Sequence, residues 1–325
     1  MQLKNLVILG TGGTIAGKAA SPSDNIGYTA GQVGVSQLVA TISALTGTTH
    51  LLVEQVVQID SKDMTFAVWA LLAERVRYFL ARDDVQGVVI THGTDTIEET
   101  AYFLQAVLDP AKPVVLTCAM RPATSLMSDG PQNLTDALAV ARHIGAQGVV
   151  VVCAGVVHSA LDVQKIHPYR LNAFSSGDAG PVAYVEEGTL RMLRSWPAMQ
   201  KLLAPTPTDL MALVSISAAS DSWPRVEVVM NYAGANGMVV DALCLAGVQG
   251  LVVAATGNGT LHRDLEAALL RAQSQGIRVI LATRCLDGRV LPKLGETLED
   301  SLGLSPVKAR IELMLRLMHS GVVSP

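Results

Sequence analysis

Two short runs of glycine and small hydroxyl-bearing residues are the parts of this sequence that could do chemistry. The first, GTGGTIAG at residues 10–17, follows the apolar stretch 6–9, and the second, HGTDTIEET at residues 92–100, follows the apolar stretch 88–90. Open parallel sheets bind ligands beyond the carboxyl ends of their strands, where both runs are expected to lie. A threonine hydroxyl at that edge indicates acyl transfer, provided that a neighbouring group activates it as a nucleophile.

The first run departs from both common nucleotide-binding loops. Ile15 occupies the third glycine position of the dinucleotide motif GxGxxG. Ala19 follows the glycine–lysine pair at 17–18, where a P-loop requires Ser or Thr. The run is therefore interpreted as an open, glycine-rich turn that presents Thr14.

Four further segments complete a pattern that extends along nearly the whole chain. They are DSKDM at 60–64, AMRP at 119–122, SDGPQNL at 128–134 and DVQK at 162–165. With the two runs described above, and in this order, they resemble the bacterial-type L-asparaginase (asparaginase/glutaminase) family. The resemblance implies hydrolysis of L-asparagine to L-aspartate and ammonia, with no metal and no organic cofactor.

The resemblance implies catalytic roles for five residues. Thr14 matches the family's acylated threonine, and Tyr28 matches the tyrosine that contacts it. A second group of a threonine, an aspartate and a lysine is matched by Thr94, Asp95 and Lys165. An amine serves as a base when burial lowers its pKa, whereas an adjacent carboxylate favours the charged form. The sequence leaves open which effect prevails at the lysine.

The segment after the first run is rich in Gly, Ser, Pro, Asn and Thr. It spans residues 16–35, and Tyr28 is its single aromatic residue. Composition alone fits an ordinary surface loop as well as a lid that closes over a site. The resemblance implies the lid.

Substrate recognition is expected from residues near the second strand and the second run. In the resembled family Ser61 and Asp95 match the anchors of the substrate's α-carboxylate and α-ammonium. Lys62 matches a binding position where relatives commonly carry glutamine or serine, and a cation there would repel the α-ammonium. We expect Lys62 to turn towards Asp60 or Asp63; otherwise the preferred substrate lacks a free ammonium.

Assembly is implied by the resemblance alone, which indicates a homodimer or homotetramer. Asn258, in a Gly-Asn-Gly sequence, matches an asparagine that relatives contribute across the dimer, although a tight turn explains it equally well. The stretch between residues 284 and 308 looks shorter than in relatives that insert an acid into the neighbouring site. Glu296 or Glu299 could replace that acid.

Three charged or titratable residues of the second run have a structural interpretation. His92 lies between a buried strand and the motif, where a hydrogen-bonded structural histidine is the preferred reading. Glu98 and Glu99 fall in the first turn of a predicted helix, where acids complement the helix dipole.

Composition favours a two-domain protein that acts on a small molecule. The chain has 325 residues, half of them hydrophobic, which is long for one domain. The net charge of −4 and pI near 6.0 offer no basic surface for nucleic acid or anionic lipid.

Cysteine usage and the start of the chain predict a cytoplasmic protein. The four cysteines show no CxxC or metal-ligand spacing, so reduced, mostly buried thiols are expected and a zinc site is not. The chain begins directly with a predicted strand rather than a signal peptide or membrane span. A secreted protein trimmed of its leader would look the same.

Alternating apolar runs and helical patterns predict an α/β fold with a larger, doubly wound, mainly parallel N-terminal domain and a smaller C-terminal α/β domain. We place the domains at 1–195 and 213–325, joined by a linker at 196–212 around a proline-bearing stretch. The predicted strands are 3–9, 51–59, 87–91, 114–117, 148–153, 226–229, 250–254 and 278–282. The predicted helices are 36–45, 65–81, 96–108, 133–144, 238–246, 261–274 and 305–318.

Three functions remain open at this point. The leading one is L-asparagine hydrolysis. The second is hydrolysis of another small or peptidyl amide, such as glutamine or an N-blocked asparagine. The third is a catalytically silent amino-acid sensor, against which the intact Thr14, Thr94, Asp95 and Lys165 argue. Ammonia release on addition of asparagine separates the three.

Overall fold

The computed structural model describes residues 4–46, 50–197, 207–220, 222–291, 293, 295 and 297–323. The chain divides into two compact units, Met1–Gln200 and Lys201–Pro325. Each unit contains its own sheet and its own apolar core. Across the described part of the chain, no helix is both long and apolar enough to cross a membrane.

The first unit is built on an eight-stranded sheet with a parallel centre. The strands of this unit are β1 Asn5–Gly12, β2 Leu51–Ile59, β3 Val85–Thr91, β4 Val114–Thr117, β5 Val149–Cys153, β6 Val156–Ser159, β7 Gln164–Lys165, β8 Phe174–Ser175, β9 Ala183–Glu186 and β10 Thr189–Met192. Strands β7 and β8 form a separate two-stranded sheet. Among the described residues the order in the large sheet is β10-β9-β6-β5-β4-β3-β1-β2. Strands β1 to β5 run parallel, whereas β6, β9 and β10 extend the sheet antiparallel.

Helices cover both faces of this sheet. They are α1 Val35–Thr46, α2 Phe66–Leu80, α3 Ile97–Leu108 and α4 Gly130–Arg142. Buried residues of α1 and α4 share one apolar cluster with Leu6 and Ile8 of β1. Val7 and Leu9 alternate with Leu6 and Ile8 along β1, so they point to the other face of the sheet, and they are also fully buried. Helix α2 packs against β3, and helix α3 packs against β5. The predicted doubly wound, mainly parallel domain is confirmed.

The order of the central strands brings the two motif runs together. The chain passes from β1 to β2 on one side and then returns to place β3 on the other side of β1. Such a reversal of strand order opens a crevice at the carboxyl ends of the two strands, which is where open α/β sheets bind ligands. The runs 10–17 and 92–100 follow these two strands.

The second unit is a smaller parallel α/β unit. Its strands are β11 Val226–Met230, β12 Gly250–Ala255, β13 Arg278–Thr283 and β14 Glu299–Asp300, in that order in the sheet. Its helices are α5 Pro207–Ser220, α6 Met238–Leu245, α7 Arg263–Ser274 and α8 Pro306–Val323. Helix α8 begins at Pro306, as its proline predicts.

Several parts of the fold differ from the pattern expected from the sequence, including the two-residue strands β7, β8 and β14, which were not predicted. The antiparallel strands β6, β9 and β10 were not predicted, because each has only four residues and no long apolar run. Helix α5 begins inside the predicted linker 196–212, since a proline is favourable in the first turn of a helix and does not mark a loop there. Residues 198–206 of that linker lie outside the described residues, and the domain limits 1–195 and 213–325 stay a prediction.

The four cysteines are free thiols. Cys118 and Cys153 are buried, Cys244 is half-buried and Cys285 is exposed. A hydrogen bond with Cys153, together with burial, raises the pKa of the Cys118 thiol, which therefore stays protonated and unreactive at neutral pH. In the described residues no group of three His, Cys, Asp or Glu side chains is arranged to hold a metal ion.

Candidate active site

The loop after β1 turns sharply to present Thr14. Gly12 and Gly13 have φ values of 105° and 78°, a region that favours glycine. A Cβ atom at Gly13 would lie 2.3 Å from the Cα atom of Gly93, so only glycine permits the two motif runs to touch. Thr14 itself begins a short 3₁₀ turn and is buried.

The glycine-rich segment 16–35 folds back over this loop. The Oγ1 atom of Thr14 lies 2.6 Å from the hydroxyl oxygen of Tyr28, and either hydroxyl can be the donor. Lys18 and Thr29 pair as an isolated antiparallel bridge, and Gly31 donates its N–H to the Gly13 carbonyl. The segment therefore holds the Tyr28 hydroxyl on the candidate nucleophile.

A second loop, residues 122–126, borders this segment. Ala123 donates its N–H to the carbonyl of Gly17, and the N–H of Ala19 donates to Oγ1 of Thr124 at 2.9 Å. The Ser125 hydroxyl donates to Oδ1 of Asn25 at 2.7 Å. Segment 16–35 is thus hydrogen-bonded to a part of the chain about one hundred residues away, and its role as a lid stays a prediction.

Asp129 anchors the loop that borders segment 16–35. Its two carboxylate oxygens accept the backbone N–H groups of Met120 and Arg121, each at 2.9 Å. These residues belong to the segments AMRP and SDGPQNL, which carry the family resemblance but received no role from the sequence. The signal that could have found this role is an Asp directly before a helix, since such residues commonly bind free backbone N–H groups.

The second group of side chains assembles at the end of β3. The ammonium of Lys165 donates to Oγ1 of Thr94 at 2.8 Å and to Oδ1 of Asp95 at 2.6 Å. Thr94 is buried, while about half of the Asp95 side chain is exposed. The three residues that the resemblance groups together are therefore in direct contact.

Ser61 connects the end of β2 to this group. Its hydroxyl accepts the backbone N–H of Asp95 at 3.2 Å, and its carbonyl accepts the hydroxyl of Thr96 at 2.8 Å. Ser61 is buried, and a Cβ atom at Gly93 would lie 2.4 Å from its Oγ atom. Both predicted anchors of an amino-acid substrate thus lie side by side.

Lys62 pairs with acidic neighbours, as expected for it. Its ammonium lies 3.0 Å from Oδ2 of Asp60 and 3.9 Å from Oδ2 of Asp63. The side chain is 63% exposed. The hydrogen bond with Asp60 and the charges of Asp60 and Asp63 raise the pKa of Lys62, and the charge of Asp95 acts in the same direction.

His92 has the structural role expected for it. It is fully buried. The Trp69 indole donates a hydrogen bond to Oγ1 of Thr100 at 2.9 Å, and the same Thr100 oxygen lies 3.0 Å from Nε2 of His92. The Nδ1 atom lies 2.7 Å from the Gly93 carbonyl, which only accepts, so Nδ1 carries the proton of a neutral ring. Burial lowers the pKa of His92 to about 4.

The buried neutral His92 predicts an acid-sensitive fold. Its pKa is about 4 in the folded chain and 6.5 ordinarily, so between these pH values the unfolded chain binds a proton that the folded chain excludes. The free energy of unfolding is therefore expected to fall as the pH decreases from 6.5 to 4, with His92 accounting for about 3 kcal/mol. Urea unfolding at several pH values measures it.

Comparison of two variants isolates the contribution of His92. His92→Gln is expected to lose part of the pH dependence between 6.5 and 4, whereas His50→Gln, at an exposed histidine, retains it. Equal slopes in the two variants would show that His92 does not cause the acid sensitivity.

Asn258 lies in the second unit on an exposed turn. Its Oδ1 atom accepts the N–H of Leu291 at 2.6 Å, and Thr256 pairs with Thr260 across the turn. The tight-turn interpretation agrees with this geometry, and a contribution to a neighbouring chain's site stays a prediction.

Of the two acids proposed from the stretch between residues 284 and 308, the structure describes Glu299. Glu299 forms ion pairs with Arg278 and Arg316. Glu296 lies outside the described residues. The structure therefore assigns Glu299 to the second unit's own charge network.

Comparisons with known proteins agree with the fold and the arrangement of the site. The sequence model described as "Asparaginase, N-terminal" matches residues 5–198, and "Glutaminase/Asparaginase C-terminal domain" matches residues 225–321. L-asparaginase 2 of Escherichia coli strain K12 is 38% identical over 98% of this chain and 90% of that protein. The glutaminase-asparaginase of Pseudomonas fluorescens biotype A is 35% identical over 97% of this chain and 87% of that protein.

A solved structure extends the agreement to three dimensions. The probable cytoplasmic L-asparaginase of Campylobacter jejuni superposes with a TM-score of 0.87 at 34% identity, covering 97% of this chain and 95% of that one. Fold and sequence together define a two-domain α/β hydrolase with a threonine-lined crevice. The chain belongs to the asparaginase family.

Proposed function

We propose that this protein hydrolyses L-asparagine to L-aspartate and ammonia through an acyl ester on Thr14. The observation that carries the proposal is the assembly at the ends of β1 and β3. There the Thr14 hydroxyl meets Tyr28, and the neighbouring run supplies Thr94 and Asp95, both of which contact Lys165 of β7. Family membership and the names of the relatives support the same reaction.

The chemistry takes place in two steps. In the first, Oγ1 of Thr14 bonds to the side-chain amide carbon, the carbon–nitrogen bond breaks, and the hydroxyl proton passes to the leaving nitrogen to complete ammonia. In the second, water bonds to the same carbon, the ester breaks, and a proton from water restores the threonine hydroxyl. The side-chain carboxylic acid of aspartate is released, and its proton passes to ammonia or solvent water to leave the carboxylate. No cofactor is needed to balance either step.

The surrounding residues have distinct parts in this scheme. Tyr28 relays the proton of the nucleophile, since its hydroxyl is already hydrogen-bonded to Thr14. Thr94, Asp95 and Lys165 form the second relay. Ser61 and Asp95 hold the substrate's α-carboxylate and α-ammonium, so Asp95 acts both as an anchor and as the partner of the lysine.

The position of the Lys62 charge bears on whether the substrate is free asparagine or an amide that lacks a free ammonium. Two like charges about 4 Å apart repel by roughly 4 kcal/mol near a protein surface, so a lysine facing the substrate ammonium would weaken binding severely. Its ion pair with Asp60 instead offsets the lysine charge, which favours free asparagine.

Replacing Lys62 by glutamine is therefore expected to change the Michaelis constant for asparagine by less than about tenfold. The control is Lys4→Gln, at an exposed lysine that precedes β1. Steady-state kinetics with L-asparagine and N-acetyl-L-asparagine measure both. A gain of about a hundredfold for asparagine, or faster wild-type turnover of the N-acetyl compound, would identify Lys62 as a residue that selects against free asparagine.

The experiment that tests the function is ammonia release by the purified protein. L-asparagine, L-glutamine and N-acetyl-L-asparagine are compared at equal concentration, and we expect the fastest release from L-asparagine. Faster release from either other amide would establish the second function named from the sequence. Saturable binding of asparagine without ammonia release would establish a silent sensor.

Assembly and location belong to the same proposal. We propose a homodimer or homotetramer, in which an exposed turn places Asn258 at the neighbouring copy's site. Sedimentation of the protein as a monomer alone would overturn this assembly.

We propose a cytoplasmic location, supported by the free cysteines and the description of the Campylobacter jejuni relative. Recovery of the protein in a periplasmic fraction would overturn the location.

A further inference from the structure

Lys165 is held by a part of the chain that has little regular structure of its own. Strand β7 consists of Gln164 and Lys165 and pairs only with the equally short β8 among the described strands. The carboxyl ends of β1 and β3 belong to the large sheet, whereas β7 does not. Some other contact must therefore fix the lysine relative to Thr94 and Asp95.

Glu98 makes such a contact. Its Oε2 atom accepts the backbone N–H of Lys165 at 2.7 Å, across 67 positions of the sequence. Glu98 lies in the first turn of α3, the helix that begins directly after Thr94 and Asp95. One carboxylate thus ties the main chain of the lysine to the same segment that carries the lysine's two side-chain partners.

The geometry of this bond fits a positioning role. Hydrogen bonds from a backbone N–H to an ionised carboxylate are short and about twice as strong as neutral ones. Lysine has a long, flexible side chain, so its ammonium is placed reliably only when its main chain is fixed. Displacement of a reacting group by about 1 Å costs on the order of a hundredfold in rate.

The charge of Glu98 at the helix start does not account for this contact. Glu99 lies in the same turn and complements the helix dipole equally well. The hydrogen bond from the main chain of Lys165 goes to Glu98. Glu99 therefore serves as the matched control for a purely electrostatic effect on α3.

We propose that Glu98 is a positioning residue, which fixes the main chain at Lys165 so that the ammonium lies between Thr94 and Asp95. The proposal rests on the role of Lys165 in the proposed function. Glu98 touches no reacting atom, and its effect is transmitted through the lysine.

The kinetic test compares three variants on L-asparagine. Glu98→Ala is expected to lower kcat by about tenfold to a hundredfold, with KM changed by less than about threefold. Glu98→Gln retains an acceptor of the same reach and is expected to recover most of kcat. Glu99→Ala is expected to leave kcat within about twofold. Equal losses in Glu98→Ala and Glu99→Ala, or no recovery with glutamine, would overturn the positioning role.

A second measurement does not depend on activity. Hydrogen exchange of the Lys165 amide is expected to be at least about tenfold faster in Glu98→Ala than in the wild type, and slow again in Glu98→Gln. Unchanged exchange would show that Glu98 does not hold this amide. If the wild type releases no ammonia from any amide, the proposed function is wrong. The exchange rate of the Lys165 amide then still shows whether Glu98 holds that amide.

Should Glu98→Ala fail to fold, Glu98→Asp replaces it. Aspartate keeps the charge at the helix start but is shorter by one methylene, so it is expected to lose the bond to Lys165 and lower kcat. A kcat equal to that of the wild type in Glu98→Asp would overturn the proposal.

Discussion

Thr14→Ala is expected to lower the turnover of L-asparagine by at least about a thousandfold, because loss of an acylated nucleophile removes the covalent pathway. The protein is expected to stay folded. Thr14 is buried, yet its hydroxyl bonds to Tyr28 at the lid rather than to the core of the sheet. The loss of stability should therefore be about 1 kcal/mol, typical of a single substitution.

Two measurements check this expectation. Ammonia release gives the turnover, and urea unfolding of the same preparation shows that the variant is folded. Thr14→Ser is the matched control, since it retains a hydroxyl at the same position and should keep measurable turnover. If Thr14→Ala retained more than a few per cent of activity, Thr94 would become the next candidate nucleophile.

Tyr28→Phe is expected to reduce kcat by about a hundredfold while KM changes by less than about threefold. The substitution removes the hydroxyl that lies 2.6 Å from Thr14. The aromatic ring remains, and with it the packing against Gly17, where a Cβ atom would lie 2.9 Å from Cδ2 of the tyrosine. The lid should therefore still close on substrate.

The control for this variant is Tyr78→Phe, which removes the same hydroxyl from an exposed tyrosine on α2. Steady-state kinetics of the two variants separate a catalytic hydroxyl from a general effect of the substitution. An unchanged kcat in Tyr28→Phe would assign residues 16–35 to an ordinary surface loop. A rise in KM with constant kcat would restrict Tyr28 to substrate binding.

The central part of the fold could be predicted because its signals are local. The strands β1, β3, β4 and β5 are apolar runs that are largely buried, and the helices between the parallel strands have long periodic patterns. The short strands β6, β9 and β10 lack such runs, and α5 begins with a proline in a polar stretch. Their structure depends on pairing and packing with distant parts of the chain.

Two features of the site were also readable from local sequence. Lys62 meets Asp60, two residues away, so its orientation follows from near neighbours in the chain. His92 directly follows the largely buried strand β3, and a buried histidine needs hydrogen-bond partners; the structure supplies Thr100 and Gly93.

The sequence by itself determined the family resemblance, the parallel core and the glycine-rich turn that carries Thr14, since these depend on residue types at short spacing. The resemblance implied the contact between Tyr28 and Thr14, whereas only the tertiary structure decided that the 122–126 loop borders segment 16–35 and that Glu98 holds Lys165. The last two contacts join residues far apart in the chain. Such contacts depend on the order of strands in the sheet and the paths of loops, and a periodic sequence pattern carries no record of either.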